Sequence, residues 1–231
     1  MNRASAPQPQ PVVLFSDPDW VAVQKPALAV TLGPAPRGCI SLGDVVSVNI
    51  GRPKVLHPLS RLDVGVTGVV LFARSPRALA AADAARREGR YRRVYEALCY
   101  PAPAPREGAW RGPIGLDPRD PRRRAVSAAG EPAESLYECV EARAGIAWLR
   151  LTPRTGRTHQ LRVHAAHAGC PVVGDPVYGT ARRVSLAGGD VVTASRPLLH
   201  LARVVVPGTE RVVEAPWADD MAALWESLAG R

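Results

Sequence analysis

The run Val69-Val70-Leu71-Phe72-Ala73 carries no polar residue on either side of a strand's pleat, so it reads as a buried strand. Ser75-Pro76 follows at once, an N-cap residue with proline at the first helical position, and Leu79, Ala82 and Ala85 continue an apolar stripe through Arg86 to a stop at Gly89. Just ahead of the strand lies His57-Pro58-Leu59-Ser60-Arg61-Leu62-Asp63-Val64-Gly65-Val66-Thr67-Gly68, a loop of punctuating residues with a lone carboxylate at Asp63. A carboxylate there either satisfies turn amides or does chemistry, and the segment alone leaves both readings open.

The rest of the chain is mostly strand. Residues 12–15 and 20–23 are β-rich and separated by Ser16-Asp17-Pro18-Asp19, which predicts a hairpin. Lys25-Pro26 ends its second strand, and Ser41 is placed to cap a short helix over residues 42–46. Residues 91–100 alternate as a strand, and Pro101-Ala102-Pro103-Ala104-Pro105 is a stiff loop. Residues 110–151 read as several strands joined by polar loops, one of them Asp117-Pro118-Arg119-Asp120-Pro121-Arg122-Arg123-Arg124. A helix is expected over residues 158–168 before Gly169, a strand over 198–206 and a terminal helix over 217–228. Dominant strands without strict βαβ alternation predict the α+β class. The expected organisation is one globular domain over residues 12–231, behind a Pro- and Gln-rich tail of residues 1–11 that buries too little to order itself.

The chain has 30 Lys and Arg against 21 Asp and Glu, a formal charge of +9, which suits a polyanionic partner such as nucleic acid. Cys39, Cys99, Cys139 and Cys170 are scattered without a Cys-x-x-Cys pair and read as buried thiols of a reducing compartment. No stretch approaches the roughly 18 apolar residues of a membrane span, and the N-terminus lacks a signal-peptide core, so the expected location is the cytoplasm.

A second cluster, Thr155-Gly156-Arg157-Thr158-His159-Gln160-Leu161-Arg162-Val163-His164, places a glycine turn at a helix start that suits a phosphate. On that helix His159, Arg162 and Ala166 would share a face, so Arg162 is able to point to a site, although an ordinary solvated basic helix has the same pattern. Tyr95 is a strand tyrosine of the kind that usually packs a core. His159, His164, His167 and Cys170 also fall within twelve residues, but His159 and His164 lie about 140° apart on a helix and no second cluster completes a tetrahedron. No metal is expected.

Taken together these segments resemble the RluA-type pseudouridine synthases, in order and along nearly the whole chain. Val23-Gln24-Lys25-Pro26-Ala27 is similar to that family's early Asn-Lys-Pro-Ala-Gly segment. Arg61-Leu62-Asp63 with Thr67-Gly68 and the apolar strand ending Ala73-Arg74 resembles its central motif, and Tyr95-Glu96-Ala97-Leu98 its Tyr-x-Ala strand. The stretch from Gly156 to His164, with Gly174-Asp175-Pro176-Val177-Tyr178-Gly179, is nearly its full third signature. The chain departs from the pattern in two places: Ser60 stands where the family usually has His before Arg-Leu-Asp, and Val64-Gly65-Val66-Thr67-Gly68 follows it where the family favours Arg-Asp-Thr-Ser-Gly.

The resemblance implies an α+β pseudouridine synthase fold: a long mixed, mostly antiparallel sheet with flanking helices and a central cleft. It implies isomerisation of a uridine in structured RNA, ribosomal or transfer, without cofactor or metal. Some members carry an N-terminal RNA-binding domain of the S4 type, for which the eleven-residue tail leaves no room; a monomer without a membrane partner is the simplest expectation. Asp63 would be the nucleophile, attacking C1' of the ribose or C6 of the base. Arg162 would pair with Asp63 and keep it charged, and Tyr95 would pack on the uracil and assist removal of the C5 proton. Arg61 would fill the gap left by a flipped uridine or hold the flipped nucleotide. Arg122, Arg123, Arg124, Arg157, Thr158, His159, Arg182 and Arg183 are candidates to hold the RNA backbone. Two rivals stand beside this reading: an idle RNA-binding protein that keeps the fold, and a metal-dependent hydrolase built on the histidines.

Overall fold

The structure is a computed structural model that describes residues 11–51, 55–179, 183–186 and 189–229. The expected tail up to residue 10, and Arg182, lie outside the described residues. The described residues form two compact units, the first of those up to 91 together with 203–216, the second of those from 92 to 202 and from 217 onwards.

In the first unit the elements are β1 (Val12–Ser16), β2 (Trp20–Lys25), β3 (Ala29–Val30), β4 (Ile40–Ser41), α1 (Leu42–Asn49), β5 (His57–Pro58), β6 (Thr67–Ala73) and α2 (Pro76–Arg87). The expected hairpin forms because the Asp17 carboxylate accepts the amides of Asp19 and Trp20 at 2.8 and 2.6 Å, an Asx turn that closes β1 onto β2. β2 pairs antiparallel with β6 from Trp20 opposite Ala73 to Lys25 opposite Gly68. All seven residues of β6 are buried, as its apolar run requires. Ser75 caps α2, its hydroxyl accepting the Ala78 amide at 3.1 Å, and Ala78, Ala82 and Ala85 form the buried stripe, with Leu79 at its flank.

In the second unit β7 (Arg93–Cys99), β8 (Glu107–Arg111), β9 (Ile114–Asp117), β10 (Asp120–Val126), β11 (Glu134–Arg143) and β12 (Ile146–Pro153) precede α3 (Gln160–His167), β13 (Arg183–Ser185) and β14 (Val191–Thr193). β15 (Leu199–Val205) contains the unit boundary, β16 (Val212–Glu214) belongs to the first unit, and α4 (Asp219–Ser227) returns to the second. β7, β12, β11 and β8 are consecutive antiparallel neighbours, with Tyr95 opposite Leu151 and Ser135 opposite Trp110. Met221 and Trp225 of α4, with Leu228 just beyond it, complete a core with Leu98, Ile146, Val173 and Leu198. The antiparallel ladders, the single described parallel pair of β3 with β4, and four helices make the fold α+β, as expected.

Two local expectations need correction. Residues 122–124 are not in a loop but in β10: Pro118 and Arg119 alone make the turn, with the Asp117 carboxylate accepting the Arg119 amide at 2.9 Å. The register then jumps from Asp120 opposite Asp117 to Arg124 opposite Leu116, so residues 121–123 bulge from the strand. The second correction concerns α3, which starts at Gln160 rather than at 158. His159 sits in the left-handed region at φ 58°, which no helical residue adopts, so it precedes the helix instead of sharing a face with Arg162.

No described helix is long and apolar enough to cross a membrane.

Candidate active site

Asp63 lies in the loop between β5 and β6, half-buried, with Arg61 exposed on one side and Leu62 and Val66 turned into the core. The loop backbone is pinned along its length. The Leu59 amide donates to Leu71 O at 2.8 Å, and the Leu59 carbonyl accepts Arg86 Nη2 at 2.8 Å. Thr31 closes a two-way clasp on Leu62, its hydroxyl accepting the Leu62 amide at 3.0 Å and donating to the Leu62 carbonyl at 3.3 Å. The Val66 amide donates to Asp63 O at 3.0 Å. Ser60, where the resemblance departs from its family, is buried with its hydroxyl 2.9 Å from that of Tyr91.

The strongest anchor is Lys25. Its side chain is fully buried, and its ammonium donates to Pro26 O at 3.1 Å, Ala29 O at 2.7 Å and Val64 O at 3.1 Å. A buried cation is tolerated only with such a set of acceptors, and one of these is the carbonyl next to Asp63. Backbone clamps on both sides of the carboxylate restrict where it can move.

The second unit holds the other candidates. Tyr95 is buried in β7, with only 8% of its surface exposed. Arg162 on α3 is buried too, and its Nε and Nη2 donate to Asp175 Oδ2 and Oδ1 at 2.7 and 2.8 Å. Burial pushes the Asp175 carboxyl up. The Arg162 hydrogen bond and charge, with the amides of Val177 and Tyr178, outweigh it and hold the group below the ordinary carboxylate value. Arg162 therefore has a bidentate carboxylate partner thirteen residues along the chain that the sequence reading did not name.

Around Tyr178 several predicted residues converge. Its hydroxyl accepts the Arg124 amide at 2.8 Å and lies 2.7 Å from His159 Nδ1, while the Arg162 and Arg123 guanidiniums sit 5.1 and 5.5 Å from its ring centre. Arg122 is exposed and pairs with Asp120, Arg157 pairs with Glu131, Thr158 is exposed at the start of α3, and Arg183 is exposed in β13. These residues do not join the Tyr178 group.

Beneath the helix start, a directed chain of hydrogen bonds fixes the turn. The Thr155 hydroxyl and the Arg157 amide donate to Gln160 Oε1, and Gln160 Nε2 donates to Glu134 O and to Ser135 Oγ. The Gly112 carbonyl can only accept, so His164 Nε2 carries the proton towards it at 3.1 Å and Nδ1 accepts from the Ser135 hydroxyl at 2.9 Å. Burial lowers the His164 pKa, which keeps this tautomer neutral. Among the described residues no group of three or more His, Cys, Asp or Glu side chains is placed to hold a metal ion.

Sequence reasoning had no reason to single out Asp175 and Tyr178, although both lie in the Gly174–Gly179 stretch quoted for the resemblance. Their signal was available only as a motif, because nothing in their spacing from Arg162 or Arg124 announces a contact.

A profile of RNA pseudouridylate synthases matches residues 19–167, well over half of the chain, and the match contains Asp63, Tyr95 and Arg162. This chain belongs to the RNA pseudouridylate synthase family. It is an RluA-type member: it is 32% identical over 192 residues to the dual-specificity RNA pseudouridine synthase RluA of Salmonella typhi, covering 81% of this chain and 86% of that protein. An RNA pseudouridine synthase of Chloroflexus aurantiacus is 36% identical over 184 residues, 78% of this chain, and the chain spans 55% of that protein's length. In fold, the synthase-family chain is similar to human RNA pseudouridylate synthase domain containing 4, with a TM-score of 0.76 at 22% identity over 94% of this chain and 92% of that one.

Proposed function

We propose that this protein isomerises a specific uridine of ribosomal or transfer RNA to pseudouridine in the cytoplasm, with Asp63 as nucleophile. The observation that carries the reading is the half-buried carboxylate on a loop clamped by Lys25, Thr31 and Arg86, inside the segment that matches the family. The reaction breaks the N1 to C1' bond, turns the uracil and joins C5 to C1'; the proton lost from C5 balances the one gained at N1. Nothing is oxidised or reduced, so side chains suffice.

In this reading Asp63 attacks C1' or C6. Arg162, held by Asp175, is the cation that favours the ionised nucleophile, and Tyr95 packs on the uracil and assists at the C5 proton. Exposed Arg61 takes the place of the flipped uridine or binds its phosphate, and Arg122, Arg123 and Arg124 of β10 with Arg157, Thr158 and His159 of the α3 turn engage the RNA backbone.

Pseudouridine mapping of total RNA from cells lacking the gene, complemented with wild type or Asp63→Ala, tests this. The expected result is a discrete site that returns with wild type alone. An unchanged map with expressed protein would replace the reading with that of an idle RNA-binding protein.

A further inference from the structure

We propose that Tyr178 is a positioning residue that seats the arginine-bearing β9–β10 hairpin on the start of α3, so that the hairpin meets RNA as a pre-ordered arm. The inference rests on the reading of this protein as an RNA-modifying enzyme and assigns a role to a residue that reading does not use.

The hydroxyl of Tyr178 is a junction of two separate elements. From β10 it accepts the Arg124 amide at 2.8 Å, and from the turn before α3 it meets His159 Nδ1 at 2.7 Å. Arg124 is the residue at which the β9–β10 ladder resumes after the bulge of residues 121–123, so the bond holds the arm where its own pairing is interrupted. Burial pushes the Tyr178 phenol up, which keeps the hydroxyl neutral and able both to donate and to accept.

The ring and backbone of Tyr178 serve the same end. Its ring packs with Val126 against Ile114, Ala133 and Val163, residues of the hairpin root, the β11 approach and α3. Its amide donates to Asp175 Oδ1 at 3.1 Å, the carboxylate that holds Arg162. Arg123 and Arg162 lie near the same ring, whose negative face offsets the repulsion between two cations before any polyanion arrives. One residue thus ties the orientation of the basic arm to the orientation of Arg162. An arm ordered beforehand loses less conformational freedom on binding and so binds RNA more tightly.

Tyr178→Phe separates the hydroxyl from the ring, because phenylalanine keeps the packing and both cation contacts. In the RNA-free protein, amides of residues 114–126 should exchange with deuterium about tenfold faster, while those of β11 and β12 keep their rates. Affinity for a fluorescent uridine-bearing stem–loop RNA, measured at about 0.1 M salt, should fall roughly 3- to 10-fold. In turnover the KM for a mapped substrate should rise by more than kcat falls. In an Arg122→Ala/Arg123→Ala/Arg124→Ala background the same substitution should change RNA affinity by less than about twofold, since the arm it positions no longer carries those charges. Unaltered exchange in the hairpin, or a full additive loss of affinity in that background, would overturn the proposal. The exchange and binding measurements need no turnover, so a wild-type protein that failed to isomerise any uridine would refute the enzymatic reading without touching this result.

Discussion

Replacing Asp175 by asparagine changes one buried atom and allows the Arg162 anchor to be weighed. Four N–H groups converge on the carboxylate: Arg162 Nε on Oδ2 at 2.7 Å, and Arg162 Nη2, Val177 N and Tyr178 N on Oδ1 at 2.8, 2.9 and 3.1 Å. Asparagine can keep the three bonds to Oδ1 with its carbonyl, but its NH2 group then faces the Arg162 Nε–H, donor against donor. One charge-assisted bond is lost inside a site where the two side chains are 6% and 0% exposed, and the guanidinium loses a neutralising charge. Breaking a buried pair of this kind costs about 3–5 kcal/mol, and the surviving acceptor bonds favour the lower end, about 3 kcal/mol. For a chain of this size that corresponds to a Tm lower by about 6–12 °C. Circular dichroism melts at pH 7 measure it, and a Tm within about 3 °C of wild type would refute the reasoning.

The same substitution carries a pH signature. Arg162 and the two amides hold the Asp175 pKa below its unfolded value of about 3.9, against the upward push of burial. A depressed carboxyl contributes its full stability above the unfolded pKa and loses it as pH falls through the folded value. Wild type should therefore weaken below about pH 4 more steeply than Asp175→Asn. Equal slopes in urea titrations across that range would show that Arg162 does not hold the carboxylate charged.

Lys25→Met is of similar length but leaves the carbonyls of Pro26, Ala29 and Val64 without their ammonium donor, so urea melts should show a loss of about 2–4 kcal/mol. RNA modification should drop further than stability alone explains, because Val64 adjoins Asp63. Gly174→Ala should be among the most damaging changes: Gly174 has φ 76°, and an added Cβ would stand 2.1 Å from the Arg196 carbonyl oxygen, so little soluble protein is expected in expression trials. Ser60→Ala and Tyr91→Phe each remove one side of a single hydroxyl pair, so each should cost about 1 kcal/mol and the double variant no more than the larger of the two.

Legibility from sequence followed the range of the interactions involved. The β6 strand, the capped helix α2 and the β1–β2 hairpin were all readable because each is set by residues within a few positions: an apolar run, Ser75 with Pro76, Asp17 reaching Asp19 and Trp20. The start of α3 lies two residues beyond the expected one because the interaction that ends the preceding turn comes from Gln160 bonding back to Thr155, Arg157 and β11, while His159 takes a backbone conformation that its side chain does not announce. Around the hairpin arginines local charge and proline content resemble a loop, whereas pairing with β9 makes residues 120–126 a strand.

The amino-acid order by itself determined the α+β class and the family, and it offered Asp63 as a candidate, because alternation, caps and motifs are written over short stretches of chain. Only the tertiary structure decided what holds those residues. Lys25 reaches a carbonyl 39 positions away, Thr31 clasps Leu62 31 positions on, and Tyr178 meets an amide 54 positions back. Such contacts depend on how strands and turns bring distant backbone groups within hydrogen-bond range, and a buried ammonium or hydroxyl is stable only where that packing supplies its partners.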